Sequence, residues 1–182
     1  MPVLDEKRTL DEAYRAFYEE HVRYVWKSLR RLGVAERDCE DLAQEVFVAV
    51  HRRWAERDPS RPPKPWLFGF TFRIALGHKR RAATKSEVPT DDERLGEVRD
   101  SSRDVATAMS ARDAYLLVHA ALAELPIEQR AVVILHDLDE FGAPEISRAL
   151  EVPLNTVYSR LRLGRERFRT ALAELTKKGG SR

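Results

Sequence analysis

Apolar residues recur at intervals of three and four along most of the chain, which is the spacing of one face of an α-helix. Thr9 and Glu12 have the spacing of a capping box. The apolar stripe that follows runs to Leu32, where Gly33 suits a helix C-terminus. A second helix is predicted from about residue 36 to residue 55. Its inner face would carry Leu42, Val46, Ala49, Val50 and Trp54.

A loop and an aromatic helix are predicted next. Four prolines between residues 59 and 65 indicate a loop, and Pro65 is well placed as the first residue of the following helix. That helix is predicted from Trp66 to about Ala83. It is rich in aromatic residues and ends in a basic cluster, Gly77-His78-Lys79-Arg80-Arg81.

The periodic pattern then stops and resumes. Residues 84–109 are acidic and lack periodicity, which predicts a flexible linker and a domain boundary. Ser110 and Asp113 form a cap pair at the start of a new helix, and Pro126 opens another. A short helix over 143–150, a tight connection and a long final helix follow. No β-type alternation occurs, so we predict an all-α fold with two small helical domains, 9–83 and 110–176.

The last two helices have the pattern of a helix-turn-helix, in which the second helix lies in the major groove of DNA. Val157, Leu161 and Phe168 fall on its apolar inner stripe and are predicted as core residues. Five arginines between residues 160 and 169 accompany one acid, Glu166, and arginine binds guanine or phosphate. The alternative is a solvated basic helix that covers a core or binds a protein. The predicted DNA-facing residues are Asn155, Thr156, Tyr158, Ser159, Arg160, Arg162 and Arg165.

The first domain has two informative stretches. The segment 38–50 is acidic on one face and apolar on the other, and the segment 65–75 interleaves aromatic and basic residues. Aromatic side chains between bases can stack on unpaired nucleotides, although they can equally fill a three-helix core.

These segments resemble the sigma-70 family of bacterial RNA polymerase sigma factors, in its extracytoplasmic-function (ECF) group. Asp38 to Phe47 resembles the family's D-x-E-D-L-x-Q-E-x-F segment, and Trp66-Leu67 with the helix after it resembles W-L-x-x-I-A-x-N. The chain from Leu125-Pro126 to Arg165 resembles region 4, including P-x-x-T-V-x-S-R-L at 153–161. The sequence departs from the pattern where the usual asparagine, aspartate and serine fall on Arg73, Gly77 and Gly142.

The resemblance implies a promoter-specificity subunit with three binding surfaces. The acidic helix would bind the clamp helices of the largest polymerase subunit through Asp41, Leu42, Gln44 and Glu45. The loop 57–64 would hold a base of the melted −10 element, and the −10 contacts would come from Arg61, Lys64, Arg73, Lys79 and Arg80. The second domain would read the −35 element and bind the flap of the second-largest subunit. An anti-sigma factor is a possible further partner.

The linker allows two interpretations. In the family this segment threads through polymerase channels that otherwise hold nucleic acid, so its acidity is compatible with mimicry of RNA. A solvated tether is the alternative, and it would still raise the local concentration of the second domain at the −35 element.

Composition narrows the remaining function classes. The net charge is only +2, so DNA binding must come from clustered charge. Cys39 stands alone, which excludes an internal disulfide and argues against a cysteine-based zinc site. The absence of recognisable catalytic motifs argues against an enzyme, and we expect no cofactor and no metal. The N-terminal residues lack the apolar segment of a signal peptide, so we expect a cytoplasmic protein without membrane insertion.

A stand-alone helix-turn-helix regulator, which would bind a palindromic site, is the alternative function.

Overall fold

The computed structural model describes residues 3–85 and 110–179, and within these ranges every regular element is helical. The all-α prediction is therefore confirmed. The first part contains α1 (Val3–Arg31), α2 (Glu36–Arg52), a 3-10 turn (Trp54–Glu56) and α3 (Pro63–Lys85). The second part contains α4 (Ala111–Ala123), α5 (Ile127–Val133) with a π-helical turn (Ile134–Leu138), α6 (Ala143–Leu150) and α7 (Leu154–Gly179).

Several predicted helix ends were wrong. α1 begins at Val3, so Thr9 lies inside it and does not start it. α2 ends at Arg52, three residues before the predicted end, and a 3-10 turn follows. α3 begins at Pro63, and Pro65 is its third residue. Both prolines are tolerated there because the first turn of a helix needs no backbone N–H donors.

The first domain is a bundle of α1, α2 and α3 around an apolar core. Val25, Val46 and Phe68 are fully buried in it. The exposed and buried positions of α2 alternate with helical spacing, which leaves its polar face in solvent. α2 and α3 thus bury their apolar faces against α1 and present their polar residues outward.

The second domain packs α4 and α5 against α7, and α6 against α7. The capping box at Ser110 and Asp113 is present, with the Asp113 amide donating to Ser110 Oγ at 3.1 Å. Gly164 lets α7 approach α5 closely, since a Cβ built there would lie 2.7 Å from a methyl group of Val133. Of the predicted linker 84–109, Thr84 and Lys85 belong to α3, and the rest lies outside the described residues.

The two domains contact each other directly. α3 packs against α6, and α1 also contacts α4. Their buried apolar side chains form one continuous cluster that includes Leu67 of α3 and Ile146 of α6.

Candidate nucleic-acid interface

A tight turn fixes the angle between α6 and α7. Glu151 adopts the left-handed conformation at φ 55°, which ends α6. The Val152 amide donates to the Ser147 carbonyl at 3.1 Å, and Ser147 Oγ donates to the Val152 carbonyl at 2.6 Å. At the other end of α6, the Gly142 amide donates to Glu145 Oε2 at 3.0 Å. This is one of the two hydrogen bonds of a capping box, and glycine has no side chain to form the other. Hydrogen bonds thus define both the start of α6 and the turn between the two helices of the predicted helix-turn-helix.

The first turns of α7 present a polar stripe to solvent. Asn155, Tyr158, Ser159 and Arg162 are all exposed and follow one another at helical i, i+3, i+4 and i+7 positions. We call these four residues the α7 stripe. A single face of this kind can enter a major groove, where side chains near the start of the helix reach base edges.

Two other predicted contacts of α7 are less accessible. Thr156 and Arg160 are half-buried. Val157 and Leu161 are buried and Phe168 is partly buried against the core, as predicted.

Arg165 is held by an acidic residue of the π-helical turn. Its Nε donates to Asp137 Oδ2 at 2.9 Å, and a terminal nitrogen donates to Asp137 Oδ1 at 2.5 Å. Hydrogen bonds from Arg165 keep the pKa of Asp137 below its usual value. This ion pair occupies the guanidinium that was predicted to bind DNA. The paired residues are 28 positions apart, so no local sequence pattern indicates this ion pair.

The exposed face of α2 combines acidic and apolar side chains. Asp41, Gln44 and Glu45 are exposed as a docking surface requires, and Val48 continues the same stripe with half of its surface exposed. We call these four residues the α2 stripe. Leu42, by contrast, is 6% exposed and belongs to the core, so it supports the helix and does not face a partner. Val48 was missed because an isolated valine in an amphipathic helix is usually read as a core residue.

The loop 57–64, which we call the proline loop, is anchored to the first domain and borders a cavity. The Arg57 guanidinium lies 5.1 Å from the ring centroid of Phe17 and 5.2 Å from that of Trp54. Asp58 accepts hydrogen bonds from Ser60 and forms an ion pair with Arg61 at 2.9 Å. A cavity of about 240 Å³ is lined by this loop, by Trp66 and by residues of α6. The cavity thus lies between the loop and α6 of the second domain.

The cations predicted for the −10 element do not form one surface. Lys64 lies over the ring of Tyr24 at 5.7 Å, and Arg80 is exposed. Arg73 pairs with Glu151 of the second domain at 3.1 Å. Lys79 is half-buried beside Arg130, so its ammonium group also points toward the second domain.

Most of the aromatic side chains of α3 are not available to stack on bases. Phe68, Phe70 and Phe72 are between 0% and 7% exposed and fill the core. Trp66 is half-buried and packs edge-on against Phe70 at 5.0 Å. For the three phenylalanines, the core interpretation is therefore correct and the stacking interpretation is wrong.

The environment of Lys79 predicts a pH-dependent stability. Burial, and secondarily the charge of Arg130, lowers the pKa of Lys79 from its usual 10.5 to about 8. The unfolded chain therefore binds more protons than the folded chain between pH 8 and 10.5, and stability from this group rises with pH across that window. We expect Lys79→Met to raise the free energy of unfolding at pH 7 by roughly 1 kcal/mol and to flatten this rise. Urea denaturation at pH 7 and pH 9.5 measures both effects.

Arg80→Met is the matched control, because the neighbouring side chain is exposed. It should leave both the stability and its pH dependence unchanged. If Lys79→Met is less stable than the wild type at pH 7, the claim that the buried charge of Lys79 destabilises the folded protein is wrong.

Arg130 is a buried charged residue that is not among the predicted site residues. It is 3% exposed and donates to the carbonyls of Leu32 at 2.9 Å, Ala123 at 2.6 Å and Leu125 at 2.9 Å. These carbonyls lie at or just beyond the C-terminal ends of α1 and α4, where helix dipoles place negative potential. Arg130 therefore caps two helices, one from each domain. The sequence signal for this residue is the position of an arginine directly before the apolar run 131–135.

Two kinds of site are absent from the part of the chain that the structure describes. No group of three or more histidine, cysteine or carboxylate side chains there could hold a metal ion. None of the helices in the described ranges combines the length and apolar character needed to cross a bilayer.

Comparison with known proteins identifies both halves of the chain. The Sigma-70 region 2 family matches residues 17–84, and the family Sigma-70, region 4 matches residues 115–168. The ECF RNA polymerase sigma factor SigL of Mycobacterium tuberculosis is 30% identical over 165 residues, which cover 88% of this chain and 89% of the relative. SigW of Bacillus subtilis, also an ECF RNA polymerase sigma factor, is 27% identical over 76% of this chain and 77% of the relative.

Two solved structures share the fold. The sigma factor RpoE of Bartonella quintana, in complex with the anti-sigma factor NepR, superimposes with a TM-score of 0.68 at 16% identity, covering 89% of this chain and 98% of that chain. CnrH in complex with the cytosolic domain of CnrY gives 0.60 at 22% identity, covering 90% of each chain. The two helical domains, the helix-turn-helix in the second and the matches to both sigma regions show that this chain belongs to the ECF sigma factors of the sigma-70 family.

Proposed function

We propose that this chain directs bacterial core RNA polymerase to promoters through three separate surfaces. The α2 stripe binds polymerase, the proline loop with α3 melts the −10 element, and the α7 stripe reads the −35 element. The observation that carries the proposal is the α7 stripe, because four exposed polar residues lie on the second helix of a helix-turn-helix in a chain that belongs to the sigma factors. The functional units are 9–83 and 110–176, joined by the linker 84–109.

The polymerase surface is formed by Asp41, Gln44, Glu45 and Val48. The carboxylates give steering and register against the basic clamp helices of the largest subunit, and Val48 supplies an apolar anchor. The second domain binds the flap of the second-largest subunit. Catalysis of RNA synthesis belongs to the polymerase, and this chain acts with it in the cytoplasm as a non-enzymatic subunit.

The −10 surface holds an extracted base against the proline loop. Extracting a base from the stack costs a few kcal/mol, so the loop must supply contacts that offset this cost. Arg61 and Lys64 at the loop contact the neighbouring phosphates. Arg73, Lys79 and Arg80 bind the strand along α3 once Arg73 and Lys79 are free of the second domain.

The α7 stripe reads the −35 element as duplex DNA. Tyr158, Ser159 and Asn155 contact base edges or the backbone near the start of the helix, together with Thr156. Arg162 contributes the exposed guanidinium, and Arg160 and Arg165 bind the flanking phosphates. Arg165 does so after leaving Asp137.

An anti-sigma factor is proposed as a regulatory partner. The RpoE and CnrH structures, which share this fold, are complexes with NepR and with the cytosolic domain of CnrY. Both sigma domains present charged surfaces that such a partner could cover.

The proposal predicts a specific defect for Arg162→Ala. We expect a loss of 10- to 100-fold in transcription from promoters that depend on a −35 element, since a good arginine–base contact is worth about 1–3 kcal/mol. Core-polymerase binding should not change. Run-off transcription, compared with retention of the variant on immobilised core polymerase, measures the two effects.

Arg169→Ala is the matched control, because Arg169 is exposed on α7 two turns farther from its start. It should transcribe nearly as the wild type does. Equal losses for both variants would contradict a −35 reading face at the α7 stripe.

DNA footprinting separates this proposal from a stand-alone regulator. Holoenzyme should protect two unlike elements, and the free chain should bind the same DNA weakly. Tight binding of the free chain to a palindromic site would favour the regulator instead.

A further inference from the structure

Two large apolar side chains are exposed among the polar residues at the start of α7. Leu154 is the first residue of the helix and 37% of its surface is exposed, and Tyr158, a member of the α7 stripe, is 53% exposed. Neither side chain belongs to the apolar core or to the partly buried residues that pack against it. Packing within the second domain therefore does not explain why both positions are apolar.

The two residues are neighbours on the surface of the helix, and we call them the apolar row. They are four positions apart, so their side chains lie side by side along one face of α7. Asn155 and Ser159, which are also exposed, form a parallel row with the same spacing, and Arg162 follows one turn after Tyr158. The face that is proposed to enter the major groove thus combines the apolar row with a polar one.

The major groove offers an apolar side chain one group that distinguishes the bases. Every base presents hydrogen-bond donors or acceptors at its edge, and thymine adds a C5-methyl group. Withdrawal of a methyl group from water against leucine or tyrosine is favourable, because apolar surface is buried on both sides. Side chains near the start of a recognition helix are the ones that reach base edges. Apolar residues at this place therefore favour A·T pairs through the methyl group of thymine.

The charges along the same face of α7 favour DNA as the molecule that covers the apolar row. Arg162 and Arg169 are exposed seven positions apart, and Glu166 is the single acidic residue between residues 154 and 173. In a DNA groove, phosphates at the rim match such guanidinium groups, and the methyl groups of thymine lie on the base edges between them. The apolar row and the arginines are thus complementary to different parts of one groove.

We propose that Leu154 and Tyr158 contact thymine methyl groups in the −35 element and thereby select A·T pairs there. This inference rests on the proposed function. It adds Leu154, which is not among the predicted contacts, to the residues that read the promoter, and it assigns an apolar contact to Tyr158. Asn155 supports the same selection, because an asparagine side chain can form two hydrogen bonds with the adenine of an A·T pair.

Replacement of thymine by deoxyuridine tests the contact, because it removes the methyl group and keeps the hydrogen-bonding groups of the A·T pair. A promoter is taken from the start sites that depend on this chain, and deoxyuridine replaces every thymine of its −35 element. Run-off transcription is measured at limiting holoenzyme. We expect about fourfold less transcript for each contacted methyl group that is removed. Deoxyuridine in the spacer between the two promoter elements should leave transcription unchanged.

Leu154→Gln and Tyr158→Gln test whether the apolar row causes this effect. Each variant should transcribe the thymine template less well and respond less to deoxyuridine, and the double variant should transcribe both templates equally. A purely structural role of either residue would lower transcription from both templates and leave their ratio unchanged. Tyr115→Gln and Leu116→Gln are the matched controls, because these side chains of α4 are 52% and 47% exposed. Both controls should retain the full difference between the templates.

The possible failures of the inference and of the proposed function are distinguishable. Equal transcription of the two templates by the wild type would overturn the inference and leave the sigma function intact. A difference that persists in the double variant would also overturn it, since another part of the holoenzyme would then read the methyl groups. A −35 element without any A·T pair would have the same consequence. If no start site depends on this chain, the proposed function fails, and the inference fails with it.

Discussion

Reversing the charge of the α2 stripe, with Asp41→Lys and Glu45→Lys together, is expected to abolish stable binding to core RNA polymerase. Both carboxylates are exposed on one face of α2, so the substitutions should not disturb the core of the first domain. Like charges placed against a basic partner cost several kcal/mol, which corresponds to a loss of at least 100-fold in affinity. Fluorescence anisotropy of the labelled chain titrated with core polymerase measures the loss.

The matched control carries Glu19→Lys and Glu20→Lys on α1. These side chains are 64% and 76% exposed, and the change in net charge is the same. The control should bind within a few-fold of the wild type. If both double variants lose affinity to the same extent, the attraction is a matter of overall charge, and the α2 stripe is not the docking surface.

Replacing Arg130 with methionine is expected to cause the largest loss of stability. Three carbonyl oxygens, those of Leu32, Ala123 and Leu125, would lose their guanidinium donors in a buried environment. Leaving a buried polar group unpaired costs about 1–3 kcal/mol, and methionine fills part of the vacated volume. We expect a loss of about 3 kcal/mol in the free energy of unfolding, measured by urea denaturation.

Arg167→Met is the control for this substitution. Arg167 is exposed on α7, so the same chemical change should alter stability by less than about 0.5 kcal/mol. A similarly small effect of Arg130→Met would show that water satisfies the three carbonyls. In that case Arg130 would not be the cap that joins the ends of α1 and α4.

The helices were predictable because each has a local signal. The short helix 143–150 and the cap at Ser110 match the structure, since turn and capping residues act within a few positions of one another. The start of α1 was not predictable in this way, because its helical pattern continues N-terminal to the apparent capping box at Thr9.

The functional surfaces were predictable only to the level of the helix face. Asp41, Gln44 and Glu45 are exposed as expected, but Leu42 is buried and Val48 takes its place on the surface. Pairings between distant segments, such as Arg73 with Glu151 and Arg165 with Asp137, have no local signature. The paired residues are 28 to 78 positions apart in the chain, and each pair forms only when its two helices pack together. A local sequence pattern therefore does not indicate such a contact.

The most direct test of the promoter-specificity role is initiation by purified core RNA polymerase on a genomic DNA library, with and without this chain, followed by mapping of the RNA 5′ ends. We expect new start sites that appear only with the chain and share two unlike elements, centred near −10 and −35. Start sites identical in the two reactions, despite a folded chain in excess over polymerase, would contradict it.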